Sequence, residues 1–109
     1  MQGGATQGIG YALTEEMLHD RAGVPANPNF TDYKIPTILS VPKIETVIVE
    51  GHYGDGPYGS KGIGESNIVP PAPAIANALY DATGARVRKI PLKPERVVEV
   101  MAETAPPSR

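Results

Sequence analysis

Glycine and proline confine regular structure in this sequence to a few short segments. The 109-residue chain contains 12 of each, and many of them gather in three clusters, at residues 23–28, 51–64 and 70–73. Because glycine favours turns and proline interrupts helices, each cluster predicts a loop. The stretches between the clusters carry apolar residues at regular spacings, which predicts ordered elements there.

These stretches predict a small α+β fold. Apolar residues at three- and four-residue spacing predict helices over residues 4–19, 73–83 and 94–102. Residues 43–50 carry isoleucine and valine on both faces, which predicts a strand that is covered on both sides. We therefore expect a small sheet, containing this strand, packed with three helices. The last residues, 103–109, are expected to form a flexible tail.

Two glycines stand inside the first predicted helix. Gly8 and Gly10 each cost about 1 kcal/mol relative to alanine in a helix interior, so their presence needs a reason. One interpretation is that a backbone segment or a ligand passes very close to the helix at these positions. The other is that the helix begins later, near Gly10. The sequence leaves both interpretations open.

Composition and charge exclude several classes of function. Ten basic and 12 acidic residues give a net charge of -2, which predicts no nucleic-acid partner and no membrane surface. The absence of cysteine excludes disulfides, thiolate metal sites and iron–sulfur ligation by this chain. No apolar run approaches the roughly 20 residues of a membrane span, so we expect a cytoplasmic protein. His19 and His52 have no spacing that predicts a metal site.

The most informative motif is GPYGSKGIGES, at residues 56–66. Three glycines beginning at Gly54 match the dinucleotide-binding spacing G-x-G-x-x-G, but Pro57 interrupts the helix that this motif must open. The order of Ser60 before Lys61 reverses the order required in a phosphate-binding P-loop. Neither nucleotide-binding motif is favoured.

Two interpretations of the glycine-rich stretch remain. In the first, the glycines form successive turns with positive φ, and Glu65 is a solvated loop carboxylate. In the second, Gly62 and Gly64 let the main chain approach a bulky bound group, while Glu65 points its carboxylate at the reacting centre as a general base. An enclosed, apolar site would favour the second role.

Four blocks of the sequence, taken together, resemble a known family. In chain order they read GGATQGIGYALTEE, TDYKIPT, GPYGSKGIGES and PPAPAIANALYDATG. In this order and spacing they are similar to the C-terminal part of the molybdopterin-binding large subunit of the xanthine dehydrogenase and aldehyde oxidase family, the molybdenum hydroxylases. The blocks extend over residues 3–84, and residues 92–97 resemble the proline-initiated helix that closes the family's domain.

The resemblance implies a catalytic residue in the glycine-rich stretch. The family's K-[GA]-x-G-E segment ends in the active-site base, which here is Glu65. The preceding residues Lys61, Gly62 and Gly64 are then expected to lie beside the cofactor. No residue of this chain is implied as a metal ligand.

The resemblance also implies a cofactor contact in the first helix. The family's Q-G-x-G segment touches the molybdopterin cofactor, and here its residues include Gln7, Gly8 and Gly10. A cofactor lying against the helix would explain the glycines within it. The bound group is thus implied by the resemblance, whereas the need for close approach follows from the glycines themselves.

The implied activity is oxidative hydroxylation of a small molecule, a purine, an aldehyde or a related heterocycle, with water as the oxygen source. Family members hold molybdopterin with further segments, and they pass electrons to iron–sulfur clusters and usually to FAD on other domains or subunits. We therefore expect residues 1–109 to be an incomplete portion of the domain, which alone binds no cofactor and is inactive.

For partners, the resemblance implies that other polypeptide completes the domain. The remainder of the large subunit or a companion chain would supply the missing segments, and exposed apolar area predicts either such a partner or self-association. An alternative is a non-catalytic interaction domain that retains the fold without the cofactor.

Overall fold

A computed structural model describes residues 1–51 and 54–104. The regular elements in these ranges are three α-helices and two single-turn 3-10 helices: α1 (Gln2–Leu13), Pro57–Gly59, Ser66–Ile68, α2 (Pro71–Thr83) and α3 (Pro94–Thr104). Irregular segments connect them. The three predicted helices are therefore present, with the differences in their ends given below.

The predicted sheet is not confirmed, since no strand is present among the described residues. Residues 43–50 contain no helix, turn or bend, and their backbone N–H groups donate to no described residue. The side chains of Val47, Ile48 and Val49 are 75% to 90% exposed. A strand needs a neighbouring backbone to complete its hydrogen bonds, and the described residues provide none for this segment.

α1 differs from the prediction at both ends. It begins two residues before residue 4 and ends at Leu13, six residues before residue 19. Gly8 and Gly10 lie inside it and are buried. The interpretation in which the helix begins near Gly10 is therefore wrong.

The early end of α1 results from side-chain hydrogen bonds that replace helical ones. The amide of Asn27, from the following loop, accepts a hydrogen bond from the Leu18 N–H at 2.8 Å and donates to the Glu16 carbonyl at 2.7 Å. These backbone groups therefore pair with the loop instead of continuing the helix. Asn27 itself is only 7% exposed.

α2 and α3 agree with the predicted helices more closely. α2 begins at Pro71, two residues early, and ends as predicted before Gly84, whose φ of 73° is typical of a glycine C-cap. α3 begins at Pro94 as predicted and continues two residues further, to Thr104. Residues 103 and 104 of the predicted tail are thus helical, and residues 105–109 lie outside the described residues.

A charged cluster connects α3 with the segment after α1. The Glu16 carboxylate lies 2.5 Å from Lys93 Nζ and 2.5 Å from Arg96 Nη2, and all three side chains are partly buried. Arg96 also donates to the Pro91 carbonyl at 2.9 Å. Hydrogen bonds from Lys93 and Arg96 lower the pKa of Glu16 to about 2. The cluster thereby joins Glu16 to Arg96, which lies 80 positions later in the chain.

The buried core is small and the chain is open. α1 packs on α2 and on the Ser66–Ile68 turn. The radius of gyration is 18.2 Å, compared with about 13 Å for a compact domain of this length. Large apolar side chains such as Phe30, at 87% exposure, and Leu39, at 95%, face solvent. No helix in the described residues is long and apolar enough to cross a membrane.

Candidate functional site

The glycines of α1 create a face on which residues 64–71 lie. An ideal Cβ on Gly4 would stand 3.2 Å from Asn67 Cβ and 3.6 Å from the Gly64 carbonyl oxygen. On Gly8 it would stand 2.5 Å from Pro71 Cγ and 2.8 Å from the Ile68 carbonyl oxygen. Positions four residues apart share one face of a helix, so the two glycines together admit this segment.

Two further contacts surround this packing. The Tyr11 hydroxyl donates to the Ile68 carbonyl at 2.8 Å, one turn after Gly8. On another face of α1, a Cβ on Gly10 would collide with the Glu15 carboxylate and with Pro36. Packing within the chain therefore accounts for both glycines. A backbone carbonyl passes close to Gly8, as one interpretation predicts, whereas the neighbours of Gly10 are the side chains of Glu15 and Pro36.

This placement limits what the Q-G-x-G segment can offer to a cofactor. Residues 7–10 lie in the interior of α1, where backbone N–H groups bond to the carbonyls one turn earlier. Gly8 and Gly10 are buried, whereas the Gln7 side chain is exposed. The amide of Gln7, which both donates and accepts hydrogen bonds, is the group of this segment that fits a polar cofactor.

The K-G-I-G-E segment is fully accessible. Lys61, Gly62, Gly64 and Glu65 are all exposed, and an ideal Cβ on either glycine would have no neighbour within 4 Å. Space for a bound group is therefore present on this side. The donor set also suits an anionic, polar cofactor, because it combines a cation with accessible backbone.

Glu65 occupies the residue before the Ser66–Ile68 turn. Its carbonyl accepts a hydrogen bond from the Ile68 N–H at 3.0 Å, and its φ of −108° requires no glycine. The turn rests on α1 through Asn67, so the backbone of Glu65 is held close to Gly4. The Glu65 side chain itself points into solvent, and the enclosure expected around a general base is not formed by the described residues.

The structure thus brings together two motifs that lie far apart in the sequence. Gly64 meets α1 near Gly4 and Ile68 meets it near Gly8, so residues 64–71 run along the helix that carries Gln7. The base assigned to Glu65 and the cofactor contacts remain predictions.

The first turn of the glycine-rich stretch, Pro57–Gly59, has positive φ at a residue that is not glycine. Gly59 has a positive φ of 73°, but so does Tyr58, at 57°, a residue type that seldom adopts this conformation. Gly56 is close to the Ser60 carbonyl, which leaves no room for a side chain. Among the described glycines of residues 54–64, only Gly59 has positive φ, so the first interpretation is wrong about successive positive-φ turns, whereas the exposed side chain of Glu65 agrees with it.

No metal site is evident in the described part of the chain. Its histidines, aspartates and glutamates form no group of three that could hold an ion. His19 joins Pro25 in an isolated β-bridge. His52 lies outside the described residues.

Sequence reasoning missed two residues that build the site, Gly4 and Asn67, and one that ends its helix, Asn27. Gly4 stands four positions before Gly8, and this spacing was the available signal for a common packing face. Asn67 contacts the same face, and Asn27 ends α1. No local pattern distinguishes either asparagine from one in an ordinary turn.

Known proteins share this arrangement of segments. The family of molybdopterin cofactor-binding domains matches residues 1–42. A putative xanthine dehydrogenase molybdenum-binding subunit from Escherichia coli K12 is 45% identical over 91% of this chain and 13% of the relative. An aldehyde oxidoreductase from Megalodesulfovibrio gigas is 37% identical over 91% of this chain and 11% of its own length. Quinoline 2-oxidoreductase from Pseudomonas putida 86 matches 94% of this chain and 13% of its own, with a TM-score of 0.80 and 34% identity.

The fold and the two adjoining motifs therefore define a part of a molybdopterin cofactor-binding domain. The chain belongs to the xanthine dehydrogenase and aldehyde oxidase family, where its relatives are molybdenum-binding subunits. It spans about an eighth of the length of these relatives, 13% in the Escherichia coli protein.

Proposed function

We propose that this chain contributes the general base, Glu65, and a cofactor contact, Gln7, to a molybdenum hydroxylase. The reaction would be oxidative hydroxylation of a purine, an aldehyde or a related heterocycle, with water as the oxygen source. The observation that carries the proposal is the packing of residues 64–71 along α1, which sets Glu65 beside the helix of Gln7. The resemblance of both motifs to those of the family supports the same assignment.

Each residue would have a distinct task in this reaction. Glu65 would accept a proton near the substrate, and its place before a turn packed on α1 restrains the backbone from which it acts. Gln7 would orient the cofactor through its amide, and the open surface at Gly62 and Gly64 would let the cofactor approach the main chain. Lys61 would add a favourable positive charge. The molybdenum cofactor, when bound, would supply the oxidising metal centre.

Other polypeptide must complete the site. The exposed Glu65 needs an enclosure that excludes water, and this chain spans only 13% of its Escherichia coli relative. We infer that the remainder of the large subunit or a companion chain provides it, in the cytoplasm, together with the iron–sulfur clusters and the flavin. The small sheet predicted around residues 43–50 would form in that assembly.

A hybrid subunit tests the proposal. In this hybrid, residues 1–109 replace the matching part of the Escherichia coli relative, and molybdenum content and dye-linked substrate oxidation are measured. We expect Glu65→Gln to retain molybdenum and to lower kcat by about 100-fold or more, since general base catalysis contributes about 10²–10⁴-fold. Glu99→Gln, at an exposed position of α3, is the matched control and should leave both quantities unchanged.

The outcomes separate the enzyme from the alternative function. Full turnover in the Glu65→Gln hybrid would remove Glu65 from the mechanism. A hybrid that folds but carries no molybdenum would favour a non-catalytic interaction domain. Gln7→Ala should lower molybdenum retention without unfolding the protein, because alanine at this exposed helical position is a better helix former.

A further inference from the structure

Tyr11 lies on the same face of α1 as the two glycines that admit residues 64–71. Gly4, Gly8 and Tyr11 stand four and three positions apart, a spacing that places them along one face of a helix. The Tyr11 side chain is half-buried, and its hydroxyl donates to the Ile68 carbonyl at 2.8 Å. The face that receives this segment therefore carries a hydrogen-bond donor at one end.

This donor supplies a directional contact that the glycines lack. Because glycine has no side chain, Gly4 and Gly8 let the segment approach but offer it no side-chain bond. Asn67, whose side chain faces Gly4, leaves its Nδ2 without a hydrogen-bond partner among the described residues. Within the same residues, the bond from Tyr11 is the only hydrogen bond between α1 and residues 64–71. It therefore fixes the position of the segment along the helix.

The bond from Tyr11 reaches Glu65 through a single residue. The carbonyl of Ile68 accepts from Tyr11, and its N–H donates to the Glu65 carbonyl at 3.0 Å. Both backbone groups of Ile68 are thereby paired, one with the helix and one with the residue that carries the carboxylate. A shift of Ile68 would move the backbone from which the Glu65 side chain extends, and a misplacement of about 1 Å in a catalytic site can lower the rate by about 100-fold.

We propose that Tyr11 is a positioning residue for the general base. It would contact neither the substrate nor the cofactor, and it would hold the Ser66–Ile68 turn so that the Glu65 carboxylate meets the proton that it accepts. The inference rests on the proposed function, because that function assigns Glu65 as the base. Tyr11→Phe isolates the role, since it keeps the aromatic ring and removes only the hydroxyl donor.

Kinetics of the hybrid subunit test this role. We expect Tyr11→Phe to lower kcat by about tenfold and to leave KM and molybdenum content unchanged, because a displaced base weakens only the transition state. In a Glu65→Gln background, the same substitution should change kcat by less than about twofold, since no base remains to be positioned. A merely structural loss would lower kcat by the same factor in both backgrounds.

Tyr33→Phe is the matched control. Tyr33 is also half-buried, but its hydroxyl donates at 3.0 Å to the carboxylate of Glu15, away from the turn beside Glu65. Its loss should leave kcat unchanged.

Amide exchange at Ile68 in the hybrid gives a readout that does not depend on turnover. We expect Tyr11→Phe to speed this exchange by about fivefold, because the Ile68 carbonyl loses its partner and the turn opens more readily. Tyr33→Phe should leave it unchanged. Parent-like exchange in the Tyr11→Phe hybrid would show that the hydroxyl does not restrain the turn, and it would overturn the inference.

The kinetic outcomes separate this inference from the proposed function. If Glu65→Gln abolishes turnover while Tyr11→Phe retains the parent kcat, or lowers it equally in both backgrounds, the positioning role is overturned and the proposed function stands. Full turnover in Glu65→Gln would contradict the proposed function and the positioning role together.

Discussion

At the scale of single residues, the positions of glycine in α1 follow from contact distances. Gly8 faces a backbone carbonyl and a proline ring of residues 64–71, neither of which can move aside as a flexible side chain would. Gly3, in the same helix, is exposed and has no neighbour within 4 Å of an ideal Cβ. The same residue type therefore has opposite consequences for stability at the two positions.

Alanine substitution should reveal this difference. We expect Gly8→Ala to lower the opening free energy of the α1 amides by about 1–3 kcal/mol, because the overpacking outweighs the gain in helix propensity. Gly3→Ala should raise it by about 0.5–1 kcal/mol. Hydrogen exchange on the hybrid subunit measures both. Equal effects of the two substitutions would show that residues 64–71 do not pack on Gly8 as described.

At the scale of elements, the extent of α1 depends on a side chain outside the helix. Asn27 pairs with backbone groups of Glu16 and Leu18 through both ends of its amide. The apolar stripe of residues 4–19 continues past Leu13, so local pattern alone favours a longer helix. The loop satisfies the backbone instead, and this long-range contact ends the helix.

Removal of the Asn27 amide should destabilise the segment after α1. We expect Asn27→Ala to lower the opening free energy of the Leu18 amide by about 1–3 kcal/mol, because it leaves an N–H and a carbonyl unpaired in a partly buried region. Asn27→Asp keeps the acceptor for the Leu18 N–H and should lower this free energy by less. Amide exchange at Leu18 reports the effect. The control Asn29→Ala removes an exposed asparagine whose bonds are to its near neighbours, and it should leave Leu18 unaffected.

At the scale of the whole molecule, few contacts close the chain on itself. The radius of gyration of 18.2 Å and the exposed apolar side chains describe an open structure with few buried apolar side chains among the described residues. Within this open structure, the cluster of Glu16, Lys93 and Arg96 fastens the C-terminal helix to the segment after α1. Its contribution to stability depends on the charge of Glu16.

The pKa of Glu16 predicts how this contribution varies with pH. The pKa is about 2 in the folded chain, below the ordinary value of 4.5, so the folded state favours the ionised carboxylate. The stabilisation is therefore present above about pH 4.5 and is lost as the pH falls towards 2. We expect Glu16→Gln to lower the melting temperature at pH 7 and to have a smaller effect at pH 3, measured by thermal unfolding of the hybrid. Glu99→Gln, which removes an exposed carboxylate from α3, controls for net charge; an equal effect of Glu16→Gln at both pH values would contradict the ion-pair role.

Local sequence pattern was enough to predict that three helices form, to place the start of α3 and the end of α2, and to identify the motifs of the candidate site. Proline at the start of α3 and glycine after α2 act on their own backbone, so their effects were predictable locally. The order of the four blocks, ending with the glycine-rich stretch before Glu65, was sufficient for recognition of the family, because such motifs are a property of the primary sequence.

The contacts that these residues make depend on the tertiary structure. The sequence showed that Gly8 needs a close neighbour, but the identity of that neighbour, residues 64–71, depends on contacts more than fifty positions away. The strand predicted at residues 43–50 lacks a pairing edge for the same reason, since a strand is completed by backbone that its own sequence does not contain. The conformational demand for glycine, the proline and glycine that bound α3 and α2, and the motifs can all be recognised locally. Packing, enclosure and strand pairing depend on distant segments.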